Sequence, residues 1–228
     1  MTDDRGTRGT LIAGATGLVG SELLELLLDD PAVGRVHSLV RRATGRRHPA
    51  LVEHVVDFDR LPDVALSSPV DEVYCCLGTT MRAAGSRDAF RRVDHGYVVA
   101  LGRLAAAAGA RSFVVVSSVC ADASARSFYL RTKGEAERDL EELGLPRLVI
   151  LRPSLLLGPR RELRVGERIG EVALWIAGPL LRGSLARYRP VHARTVARAM
   201  VRASRQPAPG VCVVESVEIR RMGGETRS

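Results

Sequence analysis

Residues 10–20 read T-L-I-A-G-A-T-G-L-V-G, and the reading of this stretch decides the fold. Its apolar start, 11–13, suits a buried strand. Gly14, Gly17 and Gly20 follow at three-residue spacing, and from Leu18 the pattern turns helical, L-V-G-S-E-L-L-E-L-L-L. A strand that turns on glycine straight into a helix leaves backbone N–H groups unpaired at the positive end of the helix dipole, a geometry that suits a pyrophosphate. Gly14 would allow the tight turn, Gly17 the close approach of backbone to phosphate, and Gly20 the packing of helix on strand. No Lys-Ser or Lys-Thr follows, so a P-loop is excluded. A strand–helix junction that binds nothing would show the same triplet, so the rest of the chain has to decide.

Outward from the loop, strands and helices alternate. The patterns predict strands at 10–13, 35–40, 51–56, 70–77, 112–116 and 148–151, and helices at 18–28, 88–108 and 129–143. Such alternation implies a mostly parallel sheet covered on both faces, an α/β fold. Residues 155–228 are less regular. They hold helix candidates at 172–181 and 194–203 and an apolar run at 211–214, and they read as a small cap over the carboxyl ends of the strands, where open α/β sheets bind ligands. At 228 residues, with no linker and no internal repeat, the expectation is one domain, 1–228.

Composition narrows the classes. An apolar share of 46% and a charged share of 26% are ordinary for a soluble globular protein. No apolar run reaches the roughly 18 residues of a membrane span. The opening M-T-D-D-R-G is unlike a signal peptide, and cytoplasmic residence is the expectation. Cys75, Cys76, Cys120 and Cys212 show no metal-ligand spacing, nor do the five histidines, so free thiols and no metal are expected. The net charge of +8 raises the question of nucleic acid, but arginine is scattered along the whole chain and aromatics make up only 4%, so no nucleic-acid partner is expected.

The arginine bias makes one residue conspicuous. Of 34 Lys+Arg, a single one is lysine, Lys133, and it lies four residues after Tyr129. Residues four apart on a helix share a face. A tyrosine of pKa about 10 is a poor acid–base catalyst at neutral pH, and a neighbouring ammonium favours its phenolate. A guanidinium is a wide planar fork and does not replace the compact ammonium there. Ser117 and Ser118 end the strand before this helix. Ser118 is the favoured hydroxyl for holding a substrate oxygen, although serines also cap strand ends. No G-x-S-x-G elbow appears, which argues against a hydrolase. After the second strand, where NAD-binding folds usually carry an acid, the chain offers Arg41-Arg42, which suits the 2′-phosphate of NADP. Asp57 could bond an adenine amino group or simply cap the next turn. Leu77 and Gly78 end the fourth strand beside the glycine loop.

These motifs together resemble the short-chain dehydrogenase/reductase superfamily: G-A-T-G-L-V-G, S-S ahead of Y-x-x-x-K, and R-P after the sixth strand. C-C-L-G-T-T (75–80), R-V-D (92–94), F-Y-L-R-T-K-G-E (128–135) and R-P-S-L-L-L (152–157) are similar to its atypical branch, which includes the Tat-interacting-protein oxidoreductase. The resemblance spans residues 10–168 and implies a doubly wound, Rossmann-like sheet and NADP(H) binding, with NAD(H) less favoured. It implies cofactor contacts for Thr16, Gly17, Leu18, Val19, Arg41, Arg42, Leu77, Gly78, Tyr129, Lys133, Leu156 and Arg164. The chain contains no asparagine, so any role of asparagine in related reductases is absent or moved, with Asp94 a candidate for one such place.

The expected function is hydride transfer between NADPH and a small-molecule carbonyl or alcohol, with Ser118, Tyr129 and Lys133 catalytic. Two alternatives remain: an NADPH-sensing module acting through a protein partner, and a sugar-nucleotide epimerase. A homodimer or another protein partner stays open.

Overall fold

The computed structural model describes residues 8–64, 66, 69–158 and 183–224. Its seven-stranded sheet is built from β1 (Arg8–Ala13), β2 (Val33–Val40), β3 (Leu51–Val55), β4 (Glu72–Cys75), β5 (Ser112–Val116), β6 (Arg147–Arg152) and, after the two-residue strands β7 (Leu156–Leu157) and β8 (Val191–His192), β9 (Gly210–Glu215). The order is β3-β2-β1-β4-β5-β6-β9, and every neighbouring pair is parallel. The order reverses between β1 and β4, so the crevice outside their carboxyl ends is where this fold class seats a ligand.

Side-chain alternation along the strands divides the core into two. Ile12, Tyr74, Val114 and Val149 face α1 (Leu18–Leu28) and α6 (Ala193–Ser204). Leu11, Val73, Phe113 and Leu148 face α4 (Val98–Ala107) and α5 (Phe128–Glu141). The adjacent Cys75 and Cys76 fall on opposite sides, and all four cysteines are free. No helix among the described residues is long and apolar enough to cross a membrane.

Two stretches differ from the sequence reading. The helix expected at 88–108 runs without a gap from Arg87 to Ala107, but a π-helical segment, Arg92–Tyr97, stands between α3 (Arg87–Arg91) and α4, and the short α2 (Met81–Ala84) precedes it. Apolar spacing of three and four does not register a five-residue turn, and π segments are often found at functional sites. The second stretch is the region read as a cap. Its run 211–214 is the core of β9, which extends the main sheet, while α6 packs on α1 and on the sheet. The alternation of β9 is hidden because edge Val211 and Val213 are exposed while Val214 is buried, so both faces carry valine. The helix candidate 172–181 lies outside the described residues.

Candidate functional site

The glycine loop owes its shape to backbone packing. Gly14 has φ +87, and a Cβ there would lie 2.5 Å from the Cys76 carbonyl oxygen at the end of β4. A Cβ on Gly20 would lie 2.1 Å from the Gly14 carbonyl oxygen. Gly17 donates its N–H to Gly14 O at 3.0 Å and caps α1 with no side-chain bond, so the next N–H groups of the helix are open toward the crevice. Thr16 and Gly17 are exposed, whereas Val19 and Gly20 are buried against the sheet. Gly20→Ala is expected to destabilise the fold by about 1–3 kcal/mol, because the obstruction is backbone and no side chain can rotate away. Urea unfolding of the variant against the parent checks this.

The second half of the site lies across the crevice. Lys133, on α5, is buried and its Nζ is 2.8 Å from Asp94 Oδ1. The π segment supplies Asp94, whose other oxygen accepts the Thr79 N–H at 2.8 Å. Burial alone would push the Lys133 pKa down, but the charge of Asp94, and then Tyr129, outweigh it, and the pKa stands above its ordinary value. Asp94 is itself 1% exposed, so its negative charge is lodged in the core beside this one ammonium. The Tyr129 ring packs on Phe90, centroids 5.6 Å apart, and the residue remains 36% exposed toward solvent.

The structure separates the two serines after β5. Ser117 is buried and its hydroxyl donates to Glu137, one turn beyond Lys133. Glu137 also accepts from Arg152 at 2.6 and 3.2 Å, and Arg152 reaches Glu215 at 3.3 Å. The hydrogen bond to Glu137, opposed by partial burial, raises the Arg152 guanidinium pKa. This network ties α5 to the ends of β5, β6 and β9. Ser118 is half-buried, and among the described residues its hydroxyl has only a 3.4 Å contact with Val119 O.

Arg41 and Arg42 are exposed just past β2, with no carboxylate partner among the described residues. Asp57 caps the turn Phe58–Asp63, accepting the Asp59 N–H at 3.0 Å. Leu77 and Gly78 follow β4; a Cβ on Gly78 would stand 3.4 Å from Asp94 Oδ1 and 3.6 Å from Lys133 Nζ. Leu156 sits in β7, paired with Val191, and, like Leu18, packs against the edge of the core under α1 and α6. The expected site residues therefore gather at the carboxyl ends of the strands, except Arg164, which lies outside the described residues. Sequence reasoning missed the ion pair of Asp94 with Lys133 and the Ser117–Glu137–Arg152 network. The available signal was the helical spacing of Lys133 and Glu137, four residues apart on one face of α5.

Residues 10–214 match the family model described as the NAD dependent epimerase/dehydratase family. The protein HTATIP2 of Rattus norvegicus is 36% identical over 96% of this chain and 90% of its own length. The mitochondrial protein FMP52 of Candida albicans is 34% identical over 84% of this chain and 86% of its own. Among solved structures, MoeE5 in complex with UDP-glucose and NAD superposes with a TM-score of 0.66 at 20% identity, covering 95% of this chain and 81% of that one, which shows a shared fold. The expectation of cytoplasmic residence is overturned by the relatives, since those of Candida albicans, Aspergillus fumigatus and Coccidioides immitis are named as mitochondrial proteins. The physical reason is simple: a polar composition without a membrane span suits any aqueous compartment. A glycine cradle at the sheet's switch point, a match over nearly the whole chain and relatives above 30% identity agree, and the chain belongs to the NAD dependent epimerase/dehydratase family, alongside HTATIP2 and FMP52.

Proposed function

We propose that this protein is an NADPH-dependent oxidoreductase acting on a small carbonyl or alcohol, with Tyr129 as proton donor or acceptor. Family membership supports the coarser part, an NAD(P)-binding protein of oxidoreductase type. The observation that carries the finer part is the buried Lys133, held 2.8 Å from Asp94 on the helix that presents Tyr129. The residues fit a dinucleotide: the space a Cβ would fill at Gly14 and Gly20 is taken by backbone, which keeps the loop low and its N–H groups open to a pyrophosphate.

When bound, the dinucleotide supplies or accepts the hydride at its nicotinamide ring. The chain's own residues do the rest. The Lys133 ammonium has three donors. One faces the Asp94 carboxylate, and the others are available to a ribose hydroxyl beside Tyr129. Tyr129 passes the proton to or from the substrate oxygen, and the Ser118 hydroxyl positions that oxygen. Arg41 and Arg42 pair with the 2′-phosphate.

A charge-assisted hydrogen bond is worth about 1.5–3 kcal/mol. Arg41→Ala/Arg42→Ala is accordingly expected to weaken NADPH by about tenfold or more while leaving NADH unchanged. Calorimetric titration of both cofactors checks this; equal losses for the two would remove the 2′-phosphate assignment.

One observation favours a second reading, a dinucleotide-binding regulatory protein. The ammonium shares its charge with a buried carboxylate, and that sharing weakens its pull on the phenol. Tight NADPH binding without oxidation across a broad carbonyl panel would support the regulatory reading.

A further inference from the structure

Toward the amino-terminal ends of four adjacent strands, Thr10 within β1 and the first residues of β4, β5 and β6 form a buried polar row. Thr10 pairs with Glu72, Glu72 with Ser112, and Ser112 lies beside Arg147, one position before the pair Phe113 and Leu148. Neighbours in such a row point to the same face. All four are buried: Thr10 to 0%, Glu72 and Ser112 to 4%, Arg147 to 6% exposure. Buried polar atoms are nearly always hydrogen-bonded, and exceptions call for an explanation such as an ion or a ligand. Here Thr10 Oγ1, Ser112 Oγ and two nitrogens of Arg147, Nε and Nη1, have no partner among the described residues. The third nitrogen of Arg147 donates to Ala203 O at 2.9 Å.

Three members of the row, Glu72, Ser112 and Arg147, line a cleft of about 430 Å³ together with Arg8 and Arg111. Its two acids are already engaged. Glu72 accepts from the Tyr74 hydroxyl at 3.1 Å and from Ser204 at 3.4 Å, and lies 3.8 Å from Arg8 Nε. Asp71 accepts the Gly9 N–H at 3.1 Å and lies 3.4 Å from Arg111 Nε. Arg205, also on the wall, is paired with Asp30 at 2.6 Å. Arg147 is left as a buried cation with no carboxylate partner among the described residues. A buried charge without a counter-charge is strongly unfavourable, and a bound anion relieves that cost.

We propose that this cleft binds the phosphate group of a small molecule, seated against Arg147 and Ser112, with Arg8 and Arg111 at its rim. The site is separate from the glycine cradle, which lies at the carboxyl ends of the same strands. The volume exceeds what a bare phosphate fills, so a phosphomonoester suits it better than the free ion.

The test reads Arg147 itself. Its Nε–H is shielded from solvent and gives a side-chain amide signal, assignable with Arg147→Lys. Inorganic phosphate and glycerol 3-phosphate are titrated into the full chain, against sodium chloride at matched ionic strength. The expected result is a saturable shift of the Arg147 signal, with the ester binding more tightly than the free ion, and at least about tenfold weaker phosphate binding by Arg147→Met. A shift of equal affinity for both assigns the site to free phosphate. An Arg147 signal that moves no further than in chloride overturns the proposal, and so does phosphate affinity unchanged in Arg147→Met. Because the signal is read in the parent, the result holds even where a variant fails to fold, and it is independent of whether the glycine loop binds dinucleotide.

Discussion

Tyr129→Phe is expected to lower kcat for carbonyl reduction by about 10²–10⁴-fold, the usual contribution of a positioned general acid, with dinucleotide affinity retained. The substitution removes one hydroxyl. The aromatic ring that packs 5.6 Å from Phe90 is kept, and the side chain is exposed enough that no buried partner is orphaned. A loss confined to kcat therefore reports proton transfer, whereas a loss confined to KM would report binding. Single-turnover reduction by parent and variant at saturating NADPH separates the two. Equal rates would remove Tyr129 from the chemistry.

Asp94→Ala is expected to destabilise the protein by about 3–5 kcal/mol, because breaking a buried pair leaves the other charge uncompensated. It also strips the Thr79 N–H of its acceptor, so two elements loosen together: the loop after β4 and helix α5. Asp94→Asn keeps an oxygen for Thr79 and removes only the charge, and is expected to fall between parent and Asp94→Ala. The sign of the pH dependence follows from Lys133. Its folded pKa is raised, so the stability it contributes is complete below its ordinary 10.5 and is lost as pH rises through the folded value. In Asp94→Asn the largest charge opposing burial is removed, which disfavours the ammonium at neutral pH and ceases to matter once the amine is neutral. The stability gap between parent and Asp94→Asn therefore narrows as pH climbs from neutrality through that range. Urea unfolding at a series of pH values checks this, and subtracting the variant cancels the other titrating groups. A constant gap would mean that Lys133 and Asp94 do not act as a pair.

Much of the fold could be read from local signals. The apolar run into Gly14 gave the central strand, and helix 18–28 coincides with Leu18–Leu28 because glycine at its start and Asp29-Asp30-Pro31 at its end mark both boundaries. Strand 112–116 was similarly legible, as a continuous apolar run between turn residues. Signals that depend on tertiary context were not. A π segment leaves no period in the sequence, and its payoff, Asp94 beside Lys133, is a contact between residues 39 positions apart. An edge strand with valines on both faces looks like any apolar run, so β9 was read as part of a cap. At the site, rarity did what spacing could not: a lone lysine in an arginine-rich chain pointed to its position before any contact was known. Rarity could not show that its nearest charge is a carboxylate, which changes the electrostatics felt by Tyr129. The row of polar residues toward the amino-terminal ends of β1, β4, β5 and β6 was equally hidden, since Thr10, Glu72, Ser112 and Arg147 become neighbours only once strand register is fixed.

The most direct measurement of the central claim follows the hydride itself. NADPH deuterated at the transferring position of the nicotinamide is incubated with the protein and a panel of small aldehydes and ketones, and the alcohols formed are analysed by mass spectrometry. The account predicts at least one alcohol carrying the label on its former carbonyl carbon, formed by the parent and suppressed in Tyr129→Phe. Tight binding of NADPH with no label in any product across the panel would contradict it and assign the site to sensing rather than turnover.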